Sequence, residues 1–368
     1  MMKAIKMVGP GQAEIQEVPI PALRDDYILV KVKAVALNPT DWKHIDHLST
    51  PGCTVGCDFA GIPWKKGDRV AGFTHGGNKV QPEDGCFAEY AVAKGDLWTK
   101  IPPTMPFTTA ATLGVGITTV GQSLYQALRL PFPFPSSSSS SSTSSSSPSS
   151  PLTTTPTHPH PGTGPILIYG GSTATGTLAI QFARLSGCTP IITTCSPSNF
   201  SLVKSLGADE AFDYRDPDAA DKIRAYTHDA LARALDCISS VDSARITSQS
   251  ISSKGGEVCF LLGGCETGRE EVKGTAVLGY TVMGEGFSFF QGVRDGGREY
   301  PARREDFEFG RRFWGVAEGL LGEGKVVAHP VEVGRGGLEG VFGGLEAMRG
   351  GRVSGRKLVY VVGGEEGV

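Results

Sequence analysis

Between Pro165 and Tyr214 the chain passes through an apolar run, a glycine-rich turn, a helical pattern and a second apolar run. Ile166-Leu167-Ile168-Tyr169 has the length and composition of a fully buried strand. Gly170-Gly171-Ser172-Thr173-Ala174-Thr175-Gly176 follows, and then a helix pattern with Leu178, Phe182 and Leu185 on one face, closed by Gly187. Ile191-Ile192-Thr193-Thr194 ends at Cys195-Ser196-Pro197. Strand, turn, helix and strand in this order make a mononucleotide-binding unit of an α/β, doubly wound parallel sheet. The N–H groups of the first helical turn have no partner within the helix and favour a phosphate. Small residues at the turn let a pyrophosphate approach the backbone. The fingerprint is imperfect: Gly170 is first and Gly176 last, but Thr173 stands where the middle glycine belongs. Such a turn is also found in ordinary strand–helix connections, and its place between a buried strand and a helix favours the nucleotide reading.

The end of the second strand bears on the choice of nucleotide. A site that prefers NAD usually places Asp or Glu there to hold the ribose 2′-hydroxyl. Here the place is taken by Ser196, Pro197, Ser198 and Asn199. No carboxylate stands ready to repel a 2′-phosphate, and hydroxyls, an amide and the N–H groups of the next helix suit one. NADPH is therefore the expected cofactor. A plain helix cap at Ser198-Asn199 is compatible with the same residues.

A chain of 368 residues suggests two domains with room for a sizeable core. A net charge of −3, with no basic stripe interleaved with aromatics, argues against a nucleic-acid partner. No apolar run is long enough to span a membrane, and Met1-Met2-Lys3-Ala4-Ile5-Lys6 lacks the apolar core of a signal peptide, so a cytoplasmic location is expected. The eight cysteines are scattered, several within apolar runs, as buried thiols of a reducing compartment would be. Cys53 and Cys57 have no second pair after them, so a zinc site there is much less favoured than two separate thiols.

The chain opens with short β-like runs, of which Tyr27–Leu37 is the clearest. Asn38-Pro39-Thr40-Asp41-Trp42-Lys43 is a turn opening a short helix; Val55–Gly61, Gly67–Gly72 and Gly85–Val92 continue the β segment to Ile101-Pro102. Thr109–Leu113 starts one helix and Ile117–Leu130 a second. Residues 131–164 are rich in Pro, Ser and Thr, with a nearly unbroken serine run, and read as a disordered surface loop with no role of its own. Farther on, Ala234–Ile238 and Glu257–Leu262 are strand candidates. Arg303–Leu321 is a helix with Phe309, Phe313, Val316 and Leu320 on one face.

The order Asn-Pro-x-Asp-x-Lys, Gly-x-Asp-Phe-Ala-Gly, Gly-Asp-Arg-Val, Gly-x-Phe-Ala-Glu-Tyr and Gly-Ile-Thr-Thr resembles the medium-chain dehydrogenase/reductase superfamily, as do Leu206-Gly207-Ala208-Asp209 and Phe212-Asp213-Tyr214. Tyr169–Thr175, Cys195–Phe200, Ala234–Ile238 and Gly284-Glu285-Gly286 are most similar to the fungal trans-acting enoyl reductases, which work beside highly reducing polyketide synthases. The resemblance implies a GroES-like, β-rich catalytic domain beside the Rossmann domain. Its expected division is 1–117 catalytic, 118–300 nucleotide-binding with the insert, and 301–368 returning to the catalytic domain, ending in a closing strand within 355–362. Between Gly61 and Gly67 this chain has only Ile62-Pro63-Trp64-Lys65-Lys66, shorter than in relatives, which would remove a strand from the first domain.

Zinc members of the superfamily use a Cys and a His where this chain has Asn38-Pro39-Thr40-Asp41 and Gly56-Cys57-Asp58. Cys57 alone cannot supply three protein ligands, so no metal is expected. His44 and His47 lack a third ligand, and His158 and His160 lie in the insert. Hydride transfer without a Lewis acid suits a C=C bond conjugated to a thioester, whose enolate oxygen needs a donor. By resemblance Lys43 and Thr119 are the catalytic candidates, Lys43 beside the nicotinamide and Thr119 at the start of the helix lining the substrate channel. Thr40, Asp41, Trp42, Lys43, Ser172, Thr173, Ala174, Thr175, Ser196, Pro197, Ser198, Asn199, Tyr214, Leu261, Leu262, Val353 and Ser354 match positions that touch NADPH. Two segments, Thr119-Val120-Gly121-Gln122-Ser123-Leu124-Tyr125-Gln126 and Tyr280-Thr281-Val282-Met283-Gly284, match those that line the substrate. No residue stands out as a general acid. Without the motif, Lys43 reads as an exposed lysine and Thr119 as a helix cap.

The leading expectation is a monomeric, NADPH-dependent trans-acting enoyl reductase whose substrate is tethered to the acyl carrier domain of a highly reducing polyketide synthase or hybrid synthase. A zinc-free quinone or free-enone reductase and a non-catalytic NADPH-binding partner protein are the alternatives.

Overall fold

The computed structural model describes residues 1–63, 67–133, 163–289 and 298–363. Most of the serine-rich insert (134–162) and Trp64-Lys65-Lys66 lie outside them. The chain starts with a hairpin of β1 (Met2–Gly9) and β2 (Gln12–Val18). β3 (Tyr27–Ala36) follows, then α1 (Pro39–His47), β4 (Asp58–Pro63), β5 (Val70–Phe73), β6 (Tyr90–Lys94) and β7 (Trp98–Lys100). β3 pairs antiparallel with β4 and with β6, β4 with β5, and β5 with β7. The β4–β5 hairpin closes at Gly61↔Val70, so the short connection still joins two paired strands.

The short helix α2 (Phe107–Ala110) precedes α3 (Gly114–Val120), which runs into a π-helical turn at Gly121–Ala127. The single helix expected over Ile117–Leu130 is thus two pieces. Gly121 marks the join: a Cβ there would come within 2.5 Å of the Phe313 ring, so the absence of a side chain lets that ring pack against the helix backbone. Thr119 consequently sits near the end of α3, not at the start of a helix.

The nucleotide-type unit follows in order: β8 (Ile166–Tyr169), α4 (Ala174–Leu185), β9 (Ile191–Thr194), α5 (Phe200–Ser205), β10 (Glu210–Phe212), α6 (Ala219–Tyr226), β11 (Arg233–Asp236), α7 (Val241–Ser250), β12 (Gly256–Phe260) and β13 (Val272–Ala276). These six strands form one parallel sheet in the order β10-β9-β8-β11-β12-β13. Numbered within the sheet this is 3-2-1-4-5-6, the doubly wound order whose reversal lies between the first and fourth strands. Every side chain of β8 and β9 is buried, as strands covered on both faces require.

A 3₁₀ turn at Gly279–Met283 leads to the small hairpin β14 (Phe287–Phe289) and β15 (Arg298–Tyr300), and then to α8 (Arg304–Gly322). Phe313, Trp314, Ala317 and Leu320 of α8 share a core with Leu124, Leu178 and Phe182, while Phe309 and Val316 are half-buried at its edge. The chain then joins the first sheet. β16 (Val331–Gly334) pairs parallel with β17 (Lys357–Val361), which lies antiparallel to β3, and α9 (Gly337–Arg349) connects them. Leu338, Val341, Leu345, Leu358 and Tyr360 share a core with Val30, Val35 and Phe59. Both ends of the chain therefore meet in one unit, and the cleft lies where that unit faces the C-terminal ends of β8, β9 and β11.

Candidate active site

A cleft of about 1200 Å³ runs along this junction. Its floor is the turn after β8. Thr173 caps α4: its Oγ1 accepts from Gly176 N at 3.0 Å and donates to Gly170 O at 2.8 Å. The N–H groups of Ala174 and Thr175, which line the cleft, have no backbone or side-chain acceptor among the described residues. Gly176 is required by close approach: a Cβ would stand 2.4 Å from Gly170 O and 2.7 Å from Gly171 Cα. Two free donors at the positive end of a twelve-residue helix, over a floor that excludes side chains, fit a pyrophosphate.

Ser196 and Tyr214, which follow β9 and β10 at one end of the sheet, line the cleft with Val353 and Ser354, and Leu261 and Leu262, which follow β12, line it on the far side of β8 and β11. Pro197, Ser198 and Asn199 form a short 3₁₀ turn just outside it. Asn199 Nδ2 donates to Ser354 Oγ at 3.1 Å and so ties the two edges together. Arg215 and Arg245 also line the cleft, and neither was a candidate from sequence. Arg215 engages Asp213 at 2.8 Å, which neutralises the carboxylate next to Tyr214.

The other end is built by α1. Asn38 N donates to Asp41 Oδ2 at 2.6 Å, which pins the first turn and faces Thr40, Trp42 and Lys43 into the cleft. Lys43 is half-buried, with Nζ 5.7 Å from the centroid of the Trp42 ring. It has no carboxylate partner among the described residues, and burial lowers its pKa. Asp41 does not reach the cleft. It is fully buried, and burial foremost raises its pKa from 3.8 to about 7. A raised carboxyl pKa favours the folded state only while the group is protonated. That stability is present below the ordinary carboxylate value and is lost as pH rises through about 7. The loss at full ionisation is on the order of 2–4 kcal/mol. Asp41→Asn keeps an acceptor for Asn38 N and cannot ionise. Its melting temperature should fall less than that of the unaltered protein between pH 5 and pH 8, and parallel curves would refute the assignment.

A polar network behind α1 was not singled out from sequence. Lys357 Nζ pairs with Asp58 Oδ2 and also donates to Asn38 Oδ1 (2.9 Å) and Thr112 O (3.3 Å). Asn38 Nδ2 donates to Asp58 Oδ2 (2.8 Å), and Val115 N to Asp58 Oδ1 (2.5 Å). Asp58 and Lys357 are 0% and 4% exposed. The only signals in the sequence were a lysine heading the apolar run Lys357–Val361 and an aspartate heading Asp58–Pro63, and β3 lies between these two strands. Among the described residues no group of three or more His, Cys, Asp or Glu side chains is placed to hold a metal ion. Asn38 is committed to Asp58 and Lys357, and the Cys57 Sγ lies 3.5 Å from the Tyr280 hydroxyl.

Thr119 and Tyr280 reach the cleft. The rest of their segments stand behind it. Leu124 is buried, Tyr125 donates towards Phe182 O or pairs with Ser186 Oγ (2.9 Å), and Gln126 Nε2 donates to Asp306 Oδ1 (3.1 Å). Gln122 Nε2 donates to Thr281 Oγ1 at 2.9 Å, which joins the two segments directly. Val282 packs against Gly310, and Gly284, at φ +71°, abuts Phe307. Val120, Gly121, Ser123 and Met283 are likewise buried. The resemblance marked both whole segments as lining the substrate, but packing turns most of their side chains into the core.

Residues 24–103 match the family model described as alcohol dehydrogenase GroES-like domain, and residues 174–285 the one described as zinc-binding dehydrogenase. Trans-enoyl reductase resD of Aspergillus sclerotiorum is 46% identical over 98% of this chain and 100% of its own. Trans-enoyl reductase ACTTS2 of Alternaria alternata is 43% identical over 98% of each. A putative zinc-dependent alcohol dehydrogenase from Rhizobium etli CFN 42, solved by crystallography, shares the fold with a TM-score of 0.74. It is 23% identical, and the match covers 99% of this chain and 98% of that one.

Proposed function

The chain belongs to the trans-enoyl reductases, oxidoreductases of the medium-chain dehydrogenase/reductase superfamily that act on C=C bonds, and on that footing we propose that it uses NADPH to reduce the α,β-double bond of an acyl thioester held on a carrier domain of a polyketide synthase. The observation that carries this reading is the pairing of two unlike ends in one cleft: N–H groups at the head of α4 and a half-buried lysine on α1, neither with a partner of its own among the described residues. Bound between them, the reduced nicotinamide supplies a hydride to the β-carbon of the conjugated bond.

The chain's own residues then have distinct tasks. Ala174 and Thr175 offer N–H groups to the pyrophosphate, with Ser172 and Thr173 shaping the turn. Ser196, Ser198, Asn199 and Tyr214, beyond Pro197, surround the 2′-phosphate, and Leu261, Leu262, Val353 and Ser354 bound the cofactor's flanks. Thr40 and Trp42 border the nicotinamide end, where Lys43 holds the ribose or the thioester oxygen, and Asp41 fixes their helix turn. Thr119 and Tyr280 hold the acyl group, with Val120–Gln126 and Thr281–Gly284 as the wall that supports them. Lys43 and Thr119 are the groups assigned to the reaction. The commitment of Asn38 and the isolation of Cys57 support a reaction without a metal.

The test is NADPH oxidation with a crotonyl-pantetheine thioester against a simple quinone. Turnover of the thioester well above the quinone is expected, the reverse order would favour the quinone reductase alternative, and cofactor binding with neither reaction would favour the non-catalytic one. Ser196→Asp tests the cofactor side. A carboxylate beside the 2′-phosphate should weaken NADPH about 10-fold or more and leave NADH almost unchanged. Equal weakening of both by calorimetry would remove Ser196 from the 2′-phosphate site.

A further inference from the structure

Tyr280 ends in a polar cluster that the proposed roles leave unused. Its ring stacks on His75 (centroids 3.8 Å apart) and on Phe73 (5.6 Å), and meets His44, Phe287 and Phe289 edge-on. Five aromatic rings thus hold the phenol in one orientation. Its hydroxyl lies 2.9 Å from Thr40 Oγ1 and 3.5 Å from Cys57 Sγ, and the residue lines the cleft beside Thr40 and Thr118.

The direction of these hydrogen bonds follows from His44. Its Nδ1 is 2.8 Å from the carbonyl oxygen of Thr40, which can only accept, so Nδ1 carries a hydrogen. That nitrogen cannot then accept from Thr40 Oγ1, 3.1 Å away. The Thr40 hydroxyl hydrogen is left to donate to Tyr280. Cys57 is a buried thiol, kept protonated because burial raises its pKa. No carboxylate or carbonyl among the described residues accepts from Tyr280. The Cys57 sulfur is the one acceptor within reach among the described residues, and a thiol accepts weakly, so the phenol hydrogen passes readily to a stronger acceptor in the cleft. Burial also raises the phenol's pKa well above its ordinary value, so the hydroxyl is protonated at neutral pH.

We propose that Tyr280 is the catalytic proton donor, delivering its hydroxyl hydrogen to the α-carbon of the substrate while Thr40 supports the oxygen left behind. This rests on the enoyl-reduction reading above. Once a hydride has been added at the β-carbon, the C=C pair becomes an enolate. The Tyr280 O–H bond breaks as the Cα–H bond forms, and the phenolate accepts from the Thr40 hydroxyl until a water from the cleft reprotonates it. One hydride and one proton are consumed per double bond. A phenol fixed by five rings protonates from one face, so the α-carbon acquires a single configuration.

Tyr280→Phe keeps the stacked ring and removes the donor. With a 2-methylcrotonyl-pantetheine thioester, the unaltered enzyme should form one configuration at Cα. The variant should be slower by about 10²-fold, form both configurations, and bind NADPH as before. Retention of a single configuration by the variant, at whatever rate, would overturn the proposal. Should the variant not fold, 3-fluorotyrosine at position 280 preserves the shape and makes the phenol more acidic. A changed solvent deuterium isotope effect on turnover is then expected, because the proton in flight leaves a more acidic donor, and an isotope effect equal to that of the unaltered enzyme would overturn it. Failure of the unaltered enzyme to reduce any thioester while binding NADPH would overturn the parent reading, and that result is seen without the variant.

Discussion

Lys43→Ala is expected to lower turnover of crotonyl-pantetheine about 10²–10³-fold with the melting temperature almost unchanged. The side chain is half-buried at the cleft wall and makes no ion pair among the described residues, so little of the core depends on it. Its ammonium is partly stripped of water by half-burial, which also lowers its pKa, and a charge in that condition acts strongly on a ligand. Two roles separate by kinetics. If Lys43 holds the nicotinamide ribose, the Michaelis constant for NADPH should rise as turnover falls. If it stabilises enolate charge, turnover should fall alone. Unchanged turnover and NADPH affinity in a folded variant would make Lys43 a surface lysine.

Lys357→Met should destabilise the protein by roughly 3–5 kcal/mol, the cost of leaving one member of a buried ion pair without the other. Asp58 is fully buried and, among the described residues, would keep Asn38 Nδ2 and Val115 N alone as donors. Asn38 would also lose a bond, and because it begins α1, the error should reach Thr40 and Lys43. Adding Asp58→Asn to this variant removes the stranded charge and should recover much of the stability but not the turnover. Chemical denaturation of the three proteins measures the first effect and steady-state rates the second. A midpoint for Lys357→Met equal to that of the unaltered protein would show that the pair does not brace the site.

Much of this was legible in the sequence because it depends on local pattern. The buried strand Ile166–Tyr169, the turn to Gly176 and the helix to Leu185 each follow from apolar period and glycine placement. The closing strand within 355–362 was implied by the resemblance, and β17 lies there. What escaped depends on distant packing. The π-helical turn at 121–127 answers to Phe313, nearly two hundred residues away, which no period in 117–130 could reveal. The Asn38–Asp58–Lys357 network joins three segments through single side chains. Tyr280 was marked as a substrate contact, but its orientation comes from Phe73, His75 and Thr40, residues of the other unit.

The reaction proposed for this cleft is hydride transfer from NADPH to the β-carbon of a carrier-bound enoyl thioester. It is tested most directly with NADPH doubly deuterated at the nicotinamide C4 and a crotonyl group loaded on the carrier domain of a highly reducing synthase. Mass spectrometry of the released acyl group, with NMR to place the label, should show one deuterium, at Cβ of a butyryl product. Recovery of the crotonyl group unlabelled and unreduced, while the same protein passes deuterium to a free quinone, would contradict the account.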